Sequence, residues 1–334
     1  MKYVEYDELG DPARVLTLRS APSMALTPGE ARVRVLATPI HPSNLLQIAG
    51  RYGASPDLPA TPGSEGIGEV IEIAADVIHL SVGQRVLLAG GGTWRDEISG
   101  PAAGFIPLPP GGDAEQLSML TVNPLTAHLI LQSFIELKPG NWIIQSAANS
   151  AVGEFIIQMA AQRGVRTINV VRRDDVAADL KVLGADAVVV DGPDLSERVK
   201  AITGGDPIHL AIDCVAGETF ARLVDVLTYG ATIVCYGALS MQPSSVNPTA
   251  IIFNDIRVRG FWLSKWFETA SDQEKQAAFG QVIGLVASGA IKAKVDSRFP
   301  LEDIKAAVSR AAESGRSGKV LLVPGYGHGQ AKSD

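Results

Sequence analysis

The stretch NWIIQSAANSAVGEFIIQMAAQRG, residues 141 to 164, runs an apolar strand through a turn of small residues directly into an amphipathic helix. Small side chains let backbone N–H groups approach an anion, and a helix amino terminus adds partial positive charge, so this junction can cradle a diphosphate. Ala148, Ser150 and Gly153 fill the three glycine positions of G-x-G-x-x-G, with Asn149, Ala151 and Val152 between them. Only the last glycine survives, so these six residues alone also fit an alanine-rich helix start with no ligand. The second strand, RTINVV, follows at the spacing of a dinucleotide-binding unit and favours the ligand reading. It ends at Val171, and Arg172 and Arg173 come next, where an acid would take the ribose 2'-hydroxyl of NAD. Two cations there suit a 2'-phosphate, which predicts NADPH as cofactor. Two solvated arginines beside Asp174 are the other reading of the pair.

The elements that position these residues alternate. After an apolar helix over 122–137, with its stop at Lys138-Pro139-Gly140, strand-like runs (NWIIQSA, RTINVV, AVVV, HLAIDCV, ATIVCYG) alternate with helical ones. That pattern predicts a doubly wound parallel sheet. In such a sheet Tyr236 and Gly237, at the end of ATIVCYG, fall where the nicotinamide half of the cofactor lies. The first 120 or so residues differ: they are rich in Pro and Gly, with short segments such as ARVRVLATPI and IGEVIEIA. They predict short strands joined by turns, hence a mostly antiparallel β domain.

The 334 residues exceed the usual size of one compact domain, so two are expected. Hydrophobic residues make up 46% and charged residues 19%, an ordinary globular balance, and the net charge of −7 supplies no basic face for nucleic acid or an acidic membrane. The amino terminus carries charges where a secretory signal needs apolar residues, which reads as a cytoplasmic protein. Cys214 and Cys235 both lie in apolar strand-like runs and read as buried free thiols, neither with metal-ligand spacing. The tail after Pro324 reads as loose.

With these segments together, the chain resembles the medium-chain dehydrogenase/reductase superfamily. The resemblance implies an α/β protein with a GroES-like, mostly antiparallel β domain over 1–121 and 295–334, and a Rossmann domain over 122–294. PGSEGIGEVIEIAADV and GKVLLV match its glycine-rich turn and last strand. Where zinc members carry their ligands, this chain reads His41-Pro42-Ser43-Asn44 and Gly63-Ser64-Glu65, and the four-cysteine lobe is missing. The ligand set is broken, so no metal is expected. HPSNLLQIAGRYG, VNPLTAHLIL, residues 145–172 and RGFWLSKW resemble the mitochondrial-type 2-enoyl thioester reductases, although GASPDLPATPG after Tyr52 departs from them.

That narrower resemblance implies NADPH-dependent reduction of the C2–C3 double bond of a trans-2-enoyl-CoA or enoyl-acyl carrier thioester, with hydride going to the β-carbon and a proton to the α-carbon. It assigns Tyr52 as donor to the enolate oxygen, and it places Asn123 and Thr126 at the nicotinamide and Trp262 and Trp266 at the substrate cleft. Asn44 either orients Tyr52 or the carboxamide, or caps a turn. A homodimer is implied as well. A quinone or alkenal reductase of the same superfamily and a non-catalytic NADPH-binding protein are the competing readings.

Overall fold

The structure, a computed structural model, describes residues 1–325, so most of the tail expected to be loose lies outside the described residues. The chain divides into two compact units. One is Met1–Val122 with the chain from Ile283 onward, and the other is Asn123–Val282.

In the second unit the apolar runs form a six-stranded sheet in the order 187–190, 166–171, 142–145, 208–213, 232–235, 257–260. Every neighbouring pair is parallel. Counted along the chain the order is 3-2-1-4-5-6, the doubly wound arrangement the alternation predicts. Strands Trp142–Gln145 and Ile208–Asp213 are central and buried almost throughout, so they read as continuous apolar runs rather than as an alternation. The strand order reverses between these two strands. Ligands of such sheets bind beyond the carboxyl ends at that reversal.

The apolar helix spans Asn123–Ser133 and stops short of the expected 137. Arg163 Nη1 donates to the Leu131 carbonyl at 3.0 Å, satisfying one of the exposed end groups. Phe134 turns away to meet Phe261 edge-on at 6.3 Å. The ending is thus set by partners distant in sequence, which the local pattern does not contain.

In the first unit, strands run in the order 295–299, 319–322, 30–39, 66–73, 85–88, 105–107, with Glu97–Pro101 also paired to Glu30–Pro39. Antiparallel pairs dominate, and Val295–Phe299 beside Lys319–Leu322 is a parallel exception. The register places Leu321 opposite Pro39 and Leu322 opposite Thr38, and the Ile40 N–H donates to the Val320 carbonyl at 3.0 Å. The last strand thereby lies against the chain just before helix Pro42–Ile48. Two apolar clusters fill the unit, one around Tyr6, Ile40, Trp94 and Leu322 and one around Val33, Val70 and Val86. Among the described residues no helix is long and apolar enough to cross a membrane.

Candidate active site

In the second unit, strand Trp142–Gln145 ends in a turn whose Ser150 caps helix Ala151–Gln162 by accepting from the Gly153 N–H at 3.2 Å. Ala147 takes a φ of 45°, a left-handed conformation easier for a small side chain. Polar groups inside the sheet stiffen this turn. Gln145 Nε2 donates to Asn169 Oδ1 at 2.7 Å and to the Gly153 carbonyl at 3.0 Å. Ser146 Oγ donates to Asp213 Oδ1 at 2.6 Å and accepts from the Cys214 N–H at 3.1 Å. Asp213 also accepts from the N–H groups of Val215 and Ala216 at 3.0 and 2.9 Å. At Gly153 a Cβ would stand 2.5 Å from the Ala148 carbonyl oxygen. The glycine that remains is therefore the one that lets the helix pack on the turn.

Two expected cofactor residues hold buried polar atoms with no hydrogen-bond partner, Asn123 Nδ2 and the Tyr236 hydroxyl. Thr126 is buried one turn beyond Asn123. Tyr236 is half-buried with its hydroxyl inside, near Cys214 and Ser150 but in hydrogen-bond geometry with neither. Burial, reinforced by Cys214, raises its phenol well above the usual range and keeps it protonated. Each unpaired buried donor costs about 1–3 kcal/mol, which a ligand acceptor would recover. Burial also pushes the Cys214 thiol up to about 12, which leaves no thiolate at neutral pH.

Arg172 and Arg173 are exposed at the end of strand Arg166–Val171. Arg173 pairs with Asp175 at 3.4 Å, whereas Arg172 has no ion-pair partner among the described residues. A small-residue turn, a capped helix start, two orphaned donors and a free guanidinium fit a phosphorylated dinucleotide. Trp262 stands exposed at the start of helix Leu263–Thr269, and Trp266 packs edge-on against Phe267 at 5.2 Å.

The first unit holds a buried polar cluster. Lys319 Nζ lies 2.9 Å from His41 Nδ1, and His41 Nε2 lies 2.7 Å from Glu65 Oε1. The Glu65 carboxylate can only accept, so His41 donates through Nε2, and the neutral ring accepts from Lys319 at Nδ1. Glu65 Oε2 accepts from the N–H groups of Thr121 and Val122 at 2.5 and 3.0 Å. The Glu65 carbonyl accepts from Thr38 and Thr93 hydroxyls at 2.7 and 2.9 Å. Asn44 is tied to the same cluster. Its Oδ1 accepts from the His41 N–H at 2.9 Å and its Nδ2 donates to Ser64 Oγ at 2.6 Å, so it caps the helix start and reaches beyond it. Helix Pro42–Ile48 closes at Gly50, with φ of 70° and the Arg51 N–H donating to the Leu46 carbonyl at 2.8 Å. This closure fixes the path of the chain to Tyr52, which is half-buried.

Burial pushes Lys319 down to about 7 against the pull of Glu65, with Arg316 adding to burial, and burial likewise lowers His41. Both groups bind a proton less readily folded than unfolded, so acid destabilises this unit. For Lys319 the loss runs as pH falls from its free value of 10.5 toward 7, and for His41 it begins as pH falls below 6.5. Thermal melts between pH 7 and 10 should show wild-type stability rising by up to about 1.4 kcal/mol per unit from Lys319. Lys319→Met should flatten that part of the slope.

Sequence reading passed over Glu65, His41 and Lys319 as a working set, and also Gln145, Ser146 and Asp213. Three of them carry a local signal. Gln145 and Asp213 are polar residues inside central apolar strands, and Lys319 heads the buried run KVLL. Among the described residues no group of three or more His, Cys, Asp or Glu is placed to hold a metal ion.

A parallel sheet in doubly wound order carrying a dinucleotide turn, in a chain that also holds a strand-rich unit, defines a nicotinamide-dependent oxidoreductase. Residues 27–110 match the alcohol dehydrogenase GroES-like domain and residues 151–279 match the zinc-binding dehydrogenase family. The mitochondrial enoyl-[acyl-carrier-protein] reductase of Homo sapiens is 36% identical over 95% of this chain and 87% of its own length. That of Arabidopsis thaliana is 32% identical over 96% and 88%. The mitochondrial 2-enoyl thioester reductase Etr1p/Etr2p heterodimer of Candida tropicalis has a TM-score of 0.86 at 29% identity, covering 96% of this chain and 99% of that one. A mycobacterial quinone oxidoreductase has a TM-score of 0.84 at 26% identity, covering 97% and 100%. The chain belongs to the medium-chain dehydrogenase/reductase superfamily, in the group of the mitochondrial enoyl thioester reductases. The cytoplasmic expectation is overturned by these relatives, which are named mitochondrial.

Proposed function

We propose that the chain reduces the C2–C3 double bond of trans-2-enoyl thioesters with NADPH, without a metal. The observation that carries this reading is the likeness over nearly the whole chain to enoyl reductases, among them the structure of Etr1p with NADP and crotonyl-CoA, at TM-score 0.85 and 28% identity. When bound, NADPH supplies the hydride. Ser150 and the backbone turn behind it receive the diphosphate, and Arg172 meets the 2'-phosphate with Arg173 beside it. Asn123 Nδ2 and the Tyr236 hydroxyl donate to cofactor acceptors, with Thr126 and Gly237 alongside. Hydride arriving at the β-carbon leaves negative charge on the thioester oxygen. Tyr52 donates a hydrogen bond to that oxygen, and the α-carbon then takes a proton from water. Asn44 positions the segment that carries Tyr52, and Trp262 and Trp266 offer apolar surface to the acyl or pantetheine chain.

NADPH oxidation followed with crotonyl-CoA and a simple quinone in parallel, with NADH as control, tests the reading. Turnover of the enoyl-CoA with NADPH supports it, and turnover of the quinone alone replaces it with quinone reduction, the reading that the mycobacterial likeness favours. Arg172→Ala should raise KM for NADPH about tenfold and leave KM for NADH nearly unchanged, as loss of one charge-assisted contact implies. An equal change in both would place Arg172 outside the 2'-phosphate site.

A homodimer through the sheet edge accords with the heterodimer named among the relatives. The strand Arg257–Gly260 is an exposed edge of the parallel sheet, and Ile251, Ile252 and Phe253 are exposed on the helix that precedes it. Unpaired edges and apolar patches of this kind are what a partner covers.

A further inference from the structure

Ser64 stands where zinc members of the superfamily place a metal ligand, and no role has been given to it. Its hydroxyl is held in one sense only. Asn44 Oδ1 is committed to the His41 N–H at 2.9 Å, so the amide must present Nδ2 to Ser64, and Ser64 Oγ accepts at 2.6 Å. The hydroxyl proton therefore points away from Asn44. No acceptor for it exists among the described residues, and Ser64 is half-buried, so the proton is open to a ligand.

The backbone on both sides is rigid. Gly63 has a φ of 106°, and a Cβ there would stand 2.3 Å from Thr93 Oγ1, so no side chain fits. Glu65 is fixed by its carbonyl and both carboxylate oxygens. A donor whose direction is set before the substrate arrives stabilises developing charge without reorganisation. Asn44 thus links Ser64 to the helix that leads to Tyr52.

We propose that Ser64 is a second hydrogen-bond donor to the thioester oxygen, with its hydroxyl proton directed outward by Asn44. It transfers no proton. Its O–H bond stays intact while the oxygen gains charge, and the α-carbon is protonated separately. This role rests on the enoyl thioester reading of the site.

Asn44→Asp is the discriminating change, because a carboxylate still accepts from the His41 N–H but also accepts the Ser64 proton and so withdraws the donor. Ser64→Ala and Asn44→Asp should each lower kcat with crotonyl-CoA about 10- to 100-fold. The double variant should lose no more than either single one, and Ser64→Thr should restore most of the rate. The rise in melting temperature on adding NADPH should stay unchanged throughout, which separates this loss from a folding or cofactor defect. Wild-type kcat and KM in Ser64→Ala, or losses that multiply in the double variant, would overturn the role of Ser64 alone. A wild-type protein that reduces the quinone and not crotonyl-CoA would overturn the enoyl reading, and the Ser64 role with it.

Discussion

Tyr52→Phe should lower kcat for crotonyl-CoA about 100- to 1000-fold while leaving KM for NADPH within about twofold, the usual loss for one donor at a developing oxyanion. The phenylalanine ring preserves the packing of a half-buried side chain and removes only the hydroxyl. A loss in kcat alone marks an interaction made in the transition state, whereas a rise in KM with kcat preserved would mark ground-state binding. Quinone reduction by the same variant should survive, because it needs no donor at a thioester oxygen. A variant that reduces crotonyl-CoA as fast as wild type would remove Tyr52 from the mechanism and leave Ser64 as the remaining candidate in this unit.

The sequence reads the second unit well for a physical reason. Its central strands are buried on both faces, so composition alone marks them, and the small-residue turn of 146–150 is local in sequence. Ala148, Ser150 and Gly153 are adjacent in the chain and adjacent in the fold, and a Cβ at Gly153 would collide with Ala148 as the fingerprint implies. The helix end at Ser133 was less legible, because Arg163 and Phe261 set it from 30 and more residues away. The cluster in the first unit was least legible. Lys319 and His41 are separated by 278 positions, and only the pairing of strand Lys319–Leu322 beside Glu30–Pro39 brings them together. Read singly, a histidine before a proline and a lysine before an apolar strand have ordinary explanations. Their joint meaning depends on register, which a single sequence does not display.

That cluster gives the largest expected effect on stability. In Glu65→Leu the His41 Nε2–H and the N–H groups of Thr121 and Val122 lose their acceptor, and the Lys319 ammonium loses its counter-charge. Breaking a buried pair on one side costs about 3–5 kcal/mol, which for a unit of this size lowers the melting temperature by roughly 10 °C. Glu65→Gln should recover little of the loss despite its matching shape. All three partners are donors, and an amide can present its oxygen to His41 or to the two backbone groups, never to both. The amide NH2 must then face a donor. Melts followed by circular dichroism should therefore rank wild type well above Gln, with Leu at or slightly below Gln. If Glu65→Gln melts with wild type, the amide of the variant must donate to His41 Nε2, with the His41 proton moved to Nδ1. Lys319 would then have to be the neutral acceptor of that proton, reversing the direction of the whole chain of hydrogen bonds.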